Sequence, residues 1–281
     1  MNDTVKKEIK KILTEVIEKK MLDYAQETDY KPFFNALFSS RDVAIGSVIQ
    51  SLYTSFGMSV YEQIAITLAK AAGYHAERQY TLIGKIDTET ENWISKHWNE
   101  LRTNLKNKED IALPSKASEI EAIKNMIKPY SPTEDEIATI KNKKKKDKDG
   151  DSTVDVYIKK PDGSEYYIDI TTVKNNLKSF EVLKLKLLRW IALRASVNKN
   201  VNIATYIAIP YNPYHPENYL SSRWNSTILD SNNDILVQEE FWNFVGNDKN
   251  TYNDLLCICE EVGKELKPKI ETFFNLIKWY I

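Results

Sequence analysis

Apolar positions along the chain switch between two periods, and the switches outline the elements. Residues 4 to 24 place Val5, Ile9, Ile12, Leu13, Val16 and Ile17 on one stripe among lysines and glutamates, an N-terminal amphipathic helix. After a break at Pro32, a second helical pattern covers about 41 to 56 and ends near Gly57. Ser59 opens a third, SVYEQIAITLAKAAG, so apolar on all sides that it is expected to be buried before Gly73 stops it. HAERQYTLIGKI then reads as a strand. From Asp87 to about Ile140 the period is helical again, with Trp93, Ile94, Trp98 and Leu101 on one stripe, a break at Pro114, and a further helix over about 116 to 128 ended by Pro129 and Pro132. Its apolar content is too low for an independent core. It is therefore expected to be a helical insertion, about 87–140, in one domain spanning 1–281 with N-terminal helices over 1–56.

Period two is clearest in TVDVYIKKPDGSEYYIDITTVK, residues 153 to 174. Pro161 presets φ for the first position of a type I turn, Asp162 suits the second, and Gly163 supplies the left-handed third residue of a three-residue hairpin loop. Lys160 then faces Ser164. Counting back pairs Ile158 with Tyr166, Val156 with Ile168 and Val154 with Ile170 on an apolar face. The other face pairs Lys159 with Glu165, Tyr157 with Tyr167, and Asp155 with Asp169. A two-residue loop would instead send the two aspartates to opposite faces.

After the hairpin, Leu177 to Ser196 forms a helix whose stripe of Phe180, Leu183, Leu187, Trp190 and Ile191 faces the sheet. Its other side carries Lys178, Lys184, Lys186, Arg189 and Arg194 against one acid, Glu181. Val201 to Pro210 is a buried strand. The remainder reads as a helix with an aromatic cluster, a Gly-Asn-Asp turn, and a helix capped by Thr251 with Asp254 and kinked by Pro268.

Composition narrows the class without naming it. The chain has 281 residues, is 42% hydrophobic and carries a net charge of −1, ordinary for a globular protein and no sign by itself of a nucleic-acid binder. No apolar run approaches the roughly 20 residues of a membrane span, and the charged N-terminus is no signal peptide, so a cytoplasmic location with no membrane partner is expected. Cys257 and Cys259 point in different directions on a helix and are read as reduced, semi-buried fillers.

The candidate chemistry lies in the aspartate pair. Two carboxylates directly opposite, with Cβ atoms roughly 4.5–5.5 Å apart, repel each other and call for positive charge between them. Hard oxygen ligands from neighbouring strands suit Mg²⁺, an arrangement for phosphodiester cleavage; two acids that simply point into water are the other reading. Glu62 is open to two readings as well: it completes a capping box with Ser59, or it is a third acid for the metal. The lysine-rich run from Lys141 to Gly150, with Lys144 and Lys145 at its centre, is either a solvated loop or a phosphate grip. The basic helix is placed to hold a DNA backbone through Lys178, Lys184, Lys186 and Arg189. His215, in a proline-rich loop, is read as a surface residue.

The order of elements, helix with an internal Glu, strand, Asp-bearing strand, hairpin, second Asp-bearing strand, helix, strand, resembles the core of the PD-(D/E)XK nucleases. That fold is α/β, a mixed central sheet flanked by helices. At finer grain, YTSFGMSVYEQIAITLAKAAGY, VDVYIKKPDGSEYYIDITTVKNNLKSFEVLKLKLLRWIA, AIPYNPYHPE and ILVQEEFWNFVGNDKNTYNDLLCICEEVGKEL look like the TdeIII-type family of type II restriction endonucleases, over most of Ser51 to Leu266. The resemblance implies a Mg²⁺-dependent homodimer that cuts both strands of a short palindromic site in double-stranded DNA, of the interrupted GG/CC kind, beside a protecting methyltransferase. It makes Asp155 the first acid, Asp169 the second, and Glu62 the acid of the early helix. The motif expects Lys two residues after the second acid, where this chain has Thr171. A hydroxyl supplies no positive charge. An introduced inactivating substitution, a natural low-activity variant, and substitution by Lys174 all remain open. So do a DNA-binding protein with a defunct site and a repair or recombination nuclease.

Overall fold

The period-two segments assemble into one sheet in the computed structural model, which describes residues 1–25, 31–107, 114–142, 150–171, 177–221 and 228–276. The strands are β1 (His75–Thr81), β2 (Thr153–Lys159), β3 (Glu165–Ile170), β4 (Ile203–Ile209) and β5 (Ile235–Val237), in that spatial order. β1, β2 and β3 run antiparallel, whereas β3, β4 and β5 run parallel. This is the mixed α/β sheet expected. β5 escaped the sequence reading because three residues are too few to show a period.

The hairpin closes as its turn residues dictate. Lys160 N donates to Ser164 O (2.9 Å), Gly163 N donates to Lys160 O (3.0 Å), and Asp162 Oδ1 accepts from Ser164 N (2.9 Å). Gly163 sits at φ +85°, a conformation that only glycine adopts without strain. The ladder pairs Lys159 with Glu165, Ile158 with Tyr166, Tyr157 with Tyr167 and Val156 with Ile168, the register read from the loop length.

Helices cover both faces. α5 (Thr88–Asn107), α6 (Lys116–Met126) and α8 (Leu177–Val197) share one apolar cluster with Tyr157 and Tyr167, including Trp98, Ile123, Phe180 and Trp190. α1 (Asp3–Ala25), α4 (Tyr61–Ala71), α9 (Glu239–Gly246) and α10 (Thr251–Leu276) share the other with Val156, Ile158, Ile168 and Ile170. The strand face that carries the aspartates is therefore covered too, because Tyr157 and Tyr167 stack at 5.2 Å between centroids and Tyr80 stacks on Tyr157. α7 (Glu134–Asn142) completes the helices that follow β1.

Several local expectations change. α3 (Ser40–Ser55) passes through a π-helical stretch, Phe56–Val60, directly into α4, so no helix starts at Ser59. Ser59 Oγ donates to Ser55 O (3.3 Å), and the capping box with Glu62 does not form. Gly57 does not stop the helix: a single glycine costs a helix only about 1 kcal/mol and is absorbed in the π turn. Thr251 does open α10, but as its first helical residue with its hydroxyl donating to Asp248 O (2.7 Å); the same helix continues through Pro268. Cys257 and Cys259 are free but exposed rather than semi-buried. A short helix, α2 (Pro32–Leu37), has no buried residue and left no stripe to read.

The stretch Ser40–Ala71 is, by length and composition, the one helix among the described residues apolar enough to cross a membrane, with 17% of its most apolar window buried. Serine, glutamine and threonine interrupt its apolar runs, which is why they looked too short. Phe33, Leu37, Ile49, Tyr53 and Met58 leave an exposed apolar surface on α2, α3 and the π turn.

Candidate active site

Asp155 and Asp169 sit on the two central antiparallel strands, just past the last ladder pair. Asp155 Oδ2 accepts from Ile170 N (2.9 Å), which fixes its carboxyl against β3. The two carboxyl groups face each other closely enough that the Asp169 charge acts on Asp155. Burial, then the neighbouring Asp169 carboxyl, then Glu62, push the Asp155 carboxyl up to about 8, and Lys186 opposes the rise. The pair favours a proton, or another cation, between its oxygens.

The third acid arrives indirectly. Glu62, 3% exposed on α4, is held through Oε2 by Arg78 Nε (3.2 Å) and Nη2 (3.1 Å). Gln79 Nε2 bridges Glu62 Oε1 (3.0 Å) and Asp155 Oδ1 (3.1 Å). Gln79 lies at φ +49°, between the pairs Arg78 with Val156 and Tyr80 with Val154. That left-handed kink aims its amide at both acids, at a cost of about 1–3 kcal/mol, a common mark of functional positions. Arg78 and Gln79 were missed by sequence reasoning. The only signal was Glu77-Arg78-Gln79, three consecutive polar residues that break the strand's alternation.

The basic helix is rearranged by packing. Lys186 Nζ lies 2.6 Å from Asp169 Oδ2, whereas that oxygen receives no well-aligned hydrogen bond. Lys184 cannot contact DNA as expected, since it is 1% exposed and its ammonium is clamped by Glu119 (2.7 Å) and Asp234 (2.6 Å). The two lysines are two residues apart and so point about 200° apart around α8, one to each side. Arg189 pairs with Glu91 (2.6 Å) and Asp151 (3.5 Å). Lys178 is exposed, as is His215. Lys144, Lys145 and Lys174 lie outside the described residues. Thr171 N donates to Ala208 O (3.0 Å), and the residue lines an apolar cavity of about 310 Å³ with Phe56, Tyr61, Pro210 and Tyr211.

A divalent ion fits this donor set in a limited form. Among the described residues no three His, Cys, Asp or Glu side chains gather as a metal-binding group, so Glu62 does not join the pair directly. Two hard carboxylates remain, one with a buried oxygen lacking an aligned donor and the other with a raised proton affinity. Two carboxylates, with substrate oxygens and water, are the usual protein share of a Mg²⁺ site.

A mixed five-stranded sheet with flanking helices is consistent with a restriction-endonuclease nuclease fold. The chain belongs to the HinfI family of type II restriction endonucleases, whose model matches residues 1–263. It is 25% identical to the type II restriction enzyme HgiCII of Herpetosiphon aurantiacus over 88% of this chain and 82% of that one. It is 32% identical to HgiEI of the same organism over 39% of each chain, and 26% identical to MjaII of Methanocaldococcus jannaschii over 46% of this chain and 36% of that one. DNA is thus the substrate, and restriction endonuclease activity is what the family carries out, typically with a divalent metal.

Proposed function

We propose that this chain is a Mg²⁺-dependent type II restriction endonuclease that hydrolyses one phosphodiester in each strand of a short palindromic site, possessing Asp155 and Asp169 as its metal-holding acids. The observation that carries this reading is the carboxyl pair on β2 and β3, Asp169 buried and Asp155 half-buried beside it, with the Asp155 carboxyl raised to about 8. When bound, the ion supplies positive charge at the scissile phosphate and makes an attacking water more acidic. Gln79 and Ile170 N hold Asp155 in place, and Arg78 holds Glu62 behind it. In the reaction a water oxygen bonds to phosphorus and gives up its proton to solvent. The bridging P–O bond breaks, and its electron pair leaves on the sugar oxygen, which takes up a proton.

Action on a two-fold site calls for two copies, so a homodimer beside a cognate methyltransferase in the cytoplasm belongs to the same proposal. An interrupted GG/CC site is the specificity the resemblance implies. Plasmid digestion with and without Mg²⁺, followed by sequencing of the ends, tests it. Discrete fragments that vanish with Asp169→Ala, while DNA binding in Ca²⁺ persists, are expected. Undiminished cutting by that variant would remove the assignment.

A further inference from the structure

We propose that Lys186 on α8 supplies the positive charge that the strand motif lacks at Thr171, and that it is a catalytic residue. The assignment rests on the nuclease reading above and goes beyond it, because the residue two places past the second acid cannot serve. Thr171 lines an apolar cavity with Phe56, Tyr61, Pro210 and Tyr211. Its hydroxyl carries no positive charge.

Lys186 has the complementary environment. Its Nζ is 2.6 Å from Asp169 Oδ2, and its side chain is 17% exposed, so it is committed to the carboxyl pair rather than to solvent. The ammonium also lies 5.0 Å from the ring centroid of Trp190, one turn further along α8. Trp190 is fully buried and its Nε1 donates to Asp151 O (2.8 Å), so the ring is a fixed wall.

Charge arithmetic supports the choice. The Glu62 carboxylate is matched by Arg78 at 3.1 Å, whereas Asp155 and Asp169 have Lys186 as the one cation that the described contacts bring to them. The backbone beneath Lys186 is pinned on both sides, by Lys184 in its buried ion cluster and by Arg194 on Glu165 (2.6 Å). An ammonium on such a mount reaches the same carboxylate as a strand lysine would, but from the helix layer above the sheet. There it can orient the attacking water and offset charge that develops on the phosphoryl oxygens.

The test compares Lys186→Met, Lys186→Arg and Lys186→Met/Thr171→Lys in the full-length protein. Three quantities are read: single-turnover cleavage of plasmid DNA in Mg²⁺, DNA affinity in Ca²⁺ by fluorescence anisotropy, and melting temperature. Lys186→Met is expected to slow cleavage about 100-fold or more with DNA affinity changed less than about threefold. Lys186→Arg, which keeps the charge, should retain cleavage within about tenfold of the unaltered chain. If the Met variant fails to fold, Lys186→Gln, which keeps a donor for Asp169, takes its place. Cleavage within threefold of the unaltered chain, or cleavage and DNA affinity falling in parallel, would overturn the assignment; recovery in the Thr171→Lys double variant would support it. Asp169→Ala separates the two ideas. If it is inactive while Lys186→Met cuts normally, the nuclease reading stands and the lysine assignment falls.

Discussion

Replacing Asp234 by Asn should destabilise the protein far more than one surface charge would. Asp234 is fully buried and accepts from Lys184 Nζ (2.6 Å), from Lys116 Nζ, and from Asp230 N (2.9 Å). Glu119 takes the other contact of Lys184 (2.7 Å) and one from His97 (2.9 Å). Two ammoniums thus face two carboxylates, and removing Asp234 leaves one buried cation uncompensated. Breaking a buried pair in this way costs about 3–5 kcal/mol. Removing Lys116 as well restores the balance around Lys184 and Glu119, so Asp234→Asn/Lys116→Met should be less destabilised than the sum of its singles by about 2 kcal/mol or more.

The acid limb gives an independent check. Burial pushes the Asp234 carboxyl up, but Lys116 and Lys184 outweigh it and hold it at about 2, against 3.8 for an unperturbed group. A folded-state value below the unfolded one gives stability that is present above pH 4 and lost as pH falls toward 2, here about 2 kcal/mol. Asp234→Asn should lack that loss. Urea unfolding at neutral pH and again between pH 4 and 2 reads both quantities. A cost below about 1 kcal/mol for Asp234→Asn, or strict additivity in the double variant, would refute the picture of a dry, balanced cluster.

Two further outcomes follow from the acid pair. Because burial and Asp169 raise the Asp155 carboxyl to about 8, its folded-state value lies above the unfolded one, and stability in EDTA should decline as pH rises from 4 toward 8. Asp155→Asn should remove that decline and stabilise the metal-free protein at pH 8.5 by about 1–3 kcal/mol in urea unfolding, an outcome reversed in sign if the pair is not strained. Gln79→Gly suits the φ of +49° but deletes the bridge between Glu62 and Asp155. It should leave the melting temperature nearly unchanged while weakening divalent-ion affinity about tenfold, measured by calorimetric titration with DNA-free protein; unchanged affinity would make the bridge merely structural.

The sequence by itself determined whatever depends on neighbours along the chain. Turn chemistry at Pro161-Asp162-Gly163 and the period of two were enough to set the hairpin register, and with it the meeting of Asp155 and Asp169. The period of 3.6 was enough for α1, α5, α6 and α8 and for the stripe of α8 that packs on the sheet. Tertiary structure decided the partners of charge. Lys184 and Lys186 look alike in sequence, yet one is sealed between Glu119 and Asp234 and the other reaches Asp169. Glu62 likewise left its supposed cap for Arg78 and Gln79, residues 16 and 17 positions away. Local rules follow from short-range sterics and hydrogen bonding, whereas the fate of a charge is set by which groups distant in the chain share its desolvated space, and periodicity carries no record of that.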